Sequence, residues 1–322
     1  MTAVDVLSRE ELAALLRKSD ARGFLTLGLN WGMIAAALGI SATYPNPVVV
    51  AFAMIVLAGR QLGLVILMHD CVHASLFASR RLNQFVGHWL CGAPLFVHLN
   101  GYKSYHLTHH QTAGSNDDPD LPNYRNYPVT TASFRRKVLR DLLGVTGLKN
   151  IRLVFAMSVG LTAYSLAYRE DGKHHGVAGN LRHIAHSSRQ YLLAPLGFHL
   201  GFFALLQLLG QAWLYAIWFA TYLTLYMLVL RVRNAAEHAA VLDPNSPDPR
   251  LHTRTSIARW WERLTVAPND VNYHLEHHLL PAVPGYRLAK MHALLAERGQ
   301  LPEGSVVHGY KEVLRLLTSR AR

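Results

Sequence analysis

The sequence predicts an all-α integral membrane protein. Four transmembrane helices pair into two hairpins, with interfacial helices beside them and a cytoplasmic helical cap that carries clusters of histidine. Three observations predict this. Hydrophobic residues make up 51% of the 322 residues and charged residues only 16%, against roughly 25% charged in an average soluble domain. Four apolar runs approach the roughly 20 residues that a helix needs to cross a bilayer. The chain also holds 19 histidines, and those with helical spacing stand at or beyond the ends of these runs.

In chain order, Ser8 and Glu11 read as a capping box that opens a short polar helix to about Lys18. The apolar core and cleavage site of a signal peptide are missing, so the first span is expected to serve as the insertion signal. The four runs are Phe24–Ala42, Val48–Met68, Tyr191–Leu209 and Ala212–Leu230. Tyr44-Pro45-Asn46-Pro47 joins the first two and is a turn signal. Little more than Gly210-Gln211 joins the last two. Neither connection carries Lys or Arg, whereas the arm 1–23, the middle region and the C-terminal region carry nearly all of them. The positive-inside rule then places both termini and the long middle loop in the cytoplasm, with the inner or plasma membrane as the site in a bacterium.

A fifth run, Ile151–Tyr168, is long enough to span. If it spanned alone, His238 and the His274 cluster would face away from His69, so an in-plane or re-entrant helix is expected. Phe85–Leu99, which holds Pro94, reads as interfacial. Residues 282–322 read as soluble helices: Tyr286–Arg298, ended by Gly299, and Lys311–Ser319. No repeat of 20–50 residues appears, so 1–322 is read as one membrane domain. Cys71 and Cys91 lie outside any C-x-x-C pair and are expected to be free thiols on the reducing side. The net charge of +12 implies a basic surface. Its basic residues flank apolar runs, which suits anionic lipid or an acidic protein better than nucleic acid.

The chemistry lies in the histidines. His69 and His73 stand at i and i+4; His106, His109 and His110 at i, i+3 and i+4; His274, His277 and His278 repeat that spacing. Residues three and four apart share a helix face, so each cluster aims two or three imidazoles at one spot. Neutral imidazole binds Fe, Zn, Cu and Ni well. Eight such ligands exceed the need of one metal, and two metals are the natural count. Beyond the last span, Asn234 and His238 sit one turn apart. His238 offers a ninth ligand and Asn234 a hold on a metal-bound water. The bland reading of a single H-x-x-x-H is chance, and of a lone His238 a capping or solvated ring; three clusters in order weigh against it.

Asp70, Glu237 and Glu276 each neighbour a ligand and are candidates to accept the second ring N–H, which fixes the tautomer. Plain surface charge is the alternative. Asp117, Asp118 and Asp120 follow the second cluster, either to orient ligands or to cap a helix. His199 lies inside the third span, as a cavity-lining or a satisfied interior group. His88 and His98 are candidates for support of the ligands. His174, His175, His183 and His186 read as solvated loop residues, and His252, His292 and His308 as surface residues.

These residues resemble the three histidine boxes of the membrane fatty acid desaturase and hydroxylase superfamily, H-x(3-4)-H, H-x(2-3)-H-H and [HQ]-x(2-3)-H-H. The stretch from Asn272 to His278 is similar to the third box, and Asn234 with His238 resembles the extra pair of the stearoyl-CoA desaturases. The resemblance covers roughly Leu62 to Pro281. It implies four spans under a cytoplasmic cap, two non-haem iron ions, O2 as co-substrate, a lipid or acyl substrate, and hydrogen abstraction from an unactivated C–H bond. The sequence carries no sign of a fused haem domain or flavin motif, so electrons are expected from a separate carrier, a ferredoxin or small cytochrome.

Acyl desaturation competes with hydroxylation, carotenoid oxygenation and oxidative decarboxylation to an alkene, which box spacing does not separate. A metal transporter is the reading from another class. It would need polar ligands within its spans, where the chain offers little beyond Arg60, Gln61, His199 and Gln207.

Overall fold

A computed structural model describes residues 6–162, 164, 165 and 181–319, with backbone alone for 181–183. Helix α1 (Arg9–Leu16) opens with the expected capping box: Ser8 Oγ accepts from Glu11 N, and Glu11 accepts from Ser8 N. The first hairpin is α2 (Asp20–Thr43) and α3 (Pro47–Val72). Asn46 caps α3 and Pro47 takes its first position, where a missing N–H costs nothing. At 1.5 Å per residue, both helices exceed the roughly 30 Å hydrocarbon core.

After α4 (Arg80–Phe85), a π-helical turn at Val86–Gly92 and a 3-10 turn at Ala93–Leu95 pack against α3. Most of this stretch is buried, while Phe85 and Trp89 stay exposed, so the segment read as interfacial also packs into the bundle. Next come α5 (Leu99–Thr112), α6 (Leu121–Tyr124), α7 (Thr131–Leu142) and α8 (Val145–Ser158). With 14 residues, α8 is about 21 Å long and cannot cross. The fifth apolar run therefore does not span as a helix, as expected, though its end lies outside the described residues.

The second hairpin is α9 (Leu181–Leu208), α10 (Trp213–Leu223) and α11 (Leu225–His238). Trp213–His238 forms one crossing of 26 residues, interrupted at Thr224 by φ −118° and ψ −91°. Among the described residues, four helices are thus long and apolar enough to cross a membrane. Their outward faces expose Leu25 and Leu29 on α2, Val48, Phe52 and Ile55 on α3, and Leu200 and Leu208 on α9. Apolar side chains on the outside of a bundle suit lipid as the solvent. The chain is an integral membrane protein.

The remaining elements build the cap: α12 (Pro249–His252), α13 (Trp260–Leu264), α14 (His274–Leu279), α15 (Gly285–Glu297) and α16 (Tyr310–Leu317). The last two match the expected soluble helices within two residues at each end. A short parallel pair, β1 (Thr255–Ile257) and β2 (Val306–His308), was not expected. Helix α3 is the hub. It packs on α2, α10, α11 and the π turn, and with them forms the main apolar core. Cys71 and Cys91 are buried free thiols.

Candidate metal centre

The site is built where α3 and α11 leave the bundle. His69 occupies the last turn of α3 and His73 caps it. His238 ends α11. The cap supplies the rest: His106, His109 and His110 from α5, and His274, His277 and His278 from α14. All nine imidazoles meet on one face of the protein, in two groups. His69, His73, His106, His110 and His277 form one; His109, His238, His274 and His278 form the other. Within each group, the possible ligand atoms lie within 4.8 Å of one another.

The ring nitrogens converge closely. Nε2 of His69 is 2.9 Å from that of His277, which is 3.0 Å from that of His110. His106 Nε2 is 3.0 Å from both His73 and His110. In the second group, Nε2 of His274 and His238 are 2.8 Å apart. First-row ions bind imidazole nitrogen at about 2.0–2.1 Å, so neighbouring ligands at right angles lie about 2.9 Å apart. The spacing therefore fits the edges of metal coordination shells.

Acceptors behind the rings help to fix which nitrogen faces inward. His69 Nδ1 lies 3.2 Å from Asp70, and His109 Nδ1 lies 2.8 Å from Asp118. His238 Nδ1 lies 3.3 Å from the carbonyl of His252. Each leaves Nε2 as the bare lone pair. Burial pushes the His73 ring down to about 4, helped by the charge of Lys103. Burial, then neighbouring rings, also lowers His106, His274, His277 and His278 well below the ordinary value. His109 moves the other way. Burial pulls it down, but the hydrogen bond to Asp118 and nearby carboxylates prevail. The chain thus favours neutral rings, the form that binds metal, at most of these positions.

The three neighbouring carboxylates divide. Asp70 faces His69. Glu237 pairs with Arg233 at 2.5 Å and stands 3.6 Å from His274 Nδ1. Glu276 contacts no ligand ring through its carboxylate. It accepts from Thr255 at 2.5 Å and pairs with His292 at 2.6 Å, tying α14 to β1 and α15. Asp118 is the support that the sequence left undecided; it orients His109, and Tyr124 donates to its second oxygen. Asn234 is half-buried on α11, its Oδ1 3.0 Å from Arg233 Nη1.

Two expectations are corrected. His252 is buried, not on the surface: its Nδ1 donates to Ser246 O at 2.8 Å, its carbonyl faces His238, and its ring lies against His278. His292 is half-buried, held by Glu276. Arg254, which no local pattern marks, is buried and donates to the carbonyls of Ala236 and Ala240, closing the end of α11. His308 and His186 are exposed, as expected, while His174, His175 and the side chain of His183 lie outside the described residues. His98 caps α5, and with His88 it lines a cavity beside α9. His199 is a buried interior ring, its Nδ1 3.1 Å from Tyr215 Oη and its face stacked on Phe96, while its Nε2 has no hydrogen-bond partner among the described residues.

Nine inward-facing imidazoles, in two groups able to hold metal, thus stand at the end of a four-span bundle. The fatty acid desaturase family matches residues 45–311, and the chain belongs to that family. It is similar to dihydrorhizobitoxine desaturase of Bradyrhizobium elkanii, at 23% identity over 85% of this chain and 75% of the relative. It is also similar to the sn-1 acyl-lipid omega-3 desaturase (ferredoxin) of Nostoc sp. (strain 36), at 24% over 70% of this chain and 62% of the relative. The temperature-sensitive sn-2 acyl-lipid omega-3 desaturase (ferredoxin), chloroplastic, of Arabidopsis thaliana matches at 27% over 70% of this chain and 52% of its own length. The chain therefore spans half to three quarters of these relatives.

Proposed function

We propose that this desaturase-family protein is an O2-dependent diiron acyl-lipid desaturase that introduces a C=C bond. The observation that carries the reading is the division of nine converging imidazoles, seven of them buried, into groups of five and four. His69, His73, His106, His110 and His277 hold one iron. His109, His238, His274 and His278 hold the other, with Asn234 acting through a water. Two irons with O2 supply the oxidising power that an unactivated C–H bond demands and that acid–base side chains lack. The protein's own part is to keep the rings neutral, orient them through Asp118, Asp70 and the His252 carbonyl, and exclude bulk water from a buried site.

The membrane fold and the acyl-lipid desaturases among the relatives support a lipid substrate. Two of the relatives named above carry ferredoxin in their names, which supports a separate carrier of that kind; a small cytochrome is the alternative. Termini and metal centre face the cytoplasm in this reading, where the basic residues lie and a soluble carrier has access. The test is metal analysis joined to product analysis with candidate lipids, O2 and reduced ferredoxin. About two irons per chain and an alkene product support the proposal. Hydroxylated product alone refutes desaturation, and metal flux without O2 consumption refutes the enzyme. A second reading keeps dehydrogenation and changes the substrate, because the relative covering 85% of this chain is named for dihydrorhizobitoxine and not for an acyl lipid.

A further inference from the structure

The lipid-facing stripe of α3 ends abruptly. Val48, Phe52 and Ile55 are exposed at i, i+4 and i+7, which places them on one face. Gly59 continues that face one turn later. A Cβ at Gly59 would lie 2.0 Å from the carbonyl oxygen of Leu264 and 2.7 Å from Cα of Thr265. The backbone following α13 therefore rests directly on the stripe. Arg60 fastens it there, donating to the carbonyls of Arg263 at 2.9 Å and Leu264 at 3.1 Å.

The height of this contact decides its surroundings. Gly59 lies about 18 Å along α3 from Pro47 and about 6 Å beyond Ile55, whereas hydrocarbon extends for about 30 Å. The end of α13 is thus held at or below the level where lipid begins. On the same short helix, Trp260 is 75% exposed and Trp261 45% exposed. Between them and the cap, Glu262 is buried and accepts from Arg259 N at 2.7 Å and Tyr310 N at 2.8 Å. That inward anchor turns the two indoles outward. Arg259 and Arg263 flank them, both exposed.

We propose that α13 is a bilayer anchor, in which Trp260 and Trp261 insert into the lipid interface beneath the cap. Indole is favoured at that boundary because its body is apolar and its N–H is polar. Arginines beside it reach the head groups with their stems in lipid. The anchored segment runs on to Asn269, whose side chain accepts from Asn30 at 2.9 Å and donates to Gly63 O at 2.8 Å. His274 follows five residues later. The anchor therefore sets the height of the third histidine cluster above the lipid. It rests on the membrane fold alone and stands or falls independently of the reaction.

The test uses the full chain in phosphatidylcholine vesicles, spin-labelled at Trp260→Cys or Trp261→Cys. The unsubstituted chain controls for the buried Cys71 and Cys91. Labels at Ile55→Cys and at the exposed Glu303→Cys mark lipid and water. Collisions with O2, which partitions into lipid, are compared with collisions with a water-soluble nickel chelate. The α13 labels are expected to show an O2-to-nickel ratio well above that of Glu303→Cys and up to that of Ile55→Cys, which lies deeper in the hydrocarbon. As a milder check, Trp260→Phe/Trp261→Phe should remove a fluorescence component that brominated phosphatidylcholine quenches in the unsubstituted chain. A ratio like that of Glu303→Cys overturns the proposal. So does shielding that appears only when an acidic carrier protein is added, which would make α13 a protein-docking surface.

Discussion

His109 Nδ1 and Asp118 Oδ1 lie 2.8 Å apart, and the carboxylate is wholly buried. Asp118 also accepts from the backbone N of Asp120 at 2.8 Å and from the Tyr124 hydroxyl. Its acidity reflects this. Burial raises the carboxyl pKa, but the bonds and charge of its partners carry it below the ordinary value. An ionised acceptor holds the His109 proton on Nδ1 and aims Nε2 at the second group. Asp118→Ala is expected to lower activity or metal affinity on the order of 10- to 100-fold, the usual cost of losing such a partner. Tyr124→Phe should cost less. Metal content under graded chelator checks both; unchanged retention in Asp118→Ala would show that the carboxylate does not orient a ligand.

The two groups should also respond separately. His110 belongs to the five-ligand group and His278 to the four-ligand group. Either change to Ala is expected to abolish turnover and to remove on the order of one metal per chain, while the protein stays in the membrane. Elemental analysis of membrane-purified protein reads this. Wild-type product yield from either variant would refute a shared site.

Much of the site was legible because helical spacing is a local signal. The four spans and three clusters needed only runs of apolar residues and the i, i+3, i+4 pattern. The assignment of rings to groups was also latent there. Residues four apart differ by about 40° around a helix, and His106 pairs with His110, His274 with His278. The middle rings, His109 and His277, turn to the opposite group. His252, His292 and Arg254 gave no such signal. Each stands alone in its segment and gains its role from a partner 14 to 18 residues away, through contacts that only the folded cap creates. Asp118 was within reach, nine residues after His109. Nothing local separated it from Asp117 and Asp120.

Glu276 tests the distinction between holding metal and holding the cap. Its carboxylate is buried and paired with His292 at 2.6 Å, not with a ligand ring. His292→Ala leaves that buried carboxylate without one of its hydrogen-bond partners. Leaving a buried polar group unsatisfied costs about 1–3 kcal/mol. The expected result is a lower thermal midpoint in detergent with metal stoichiometry unchanged. Loss of metal at a temperature where the cap remains folded would instead make His292 part of the metal centre.

Proton competition should appear well below neutrality. An unfolded histidine titrates near 6.5, while burial holds His73 at about 4 in the folded chain. Because the folded value is the lower one, the neutral ring's stabilisation is complete above about 6.5. It diminishes as pH falls and is lost below about 4. The buried rings His106, His274, His277 and His278 shift in the same direction. Bound metal selects the neutral form as well and reinforces the trend. Stability and metal retention are therefore expected to be flat at and above neutral pH and to fall together in acid. Thermal midpoints and metal content measured across pH 4–8 check this; release beginning above pH 7 would mean that the rings titrate as solvated histidines and that the buried site does not hold them neutral.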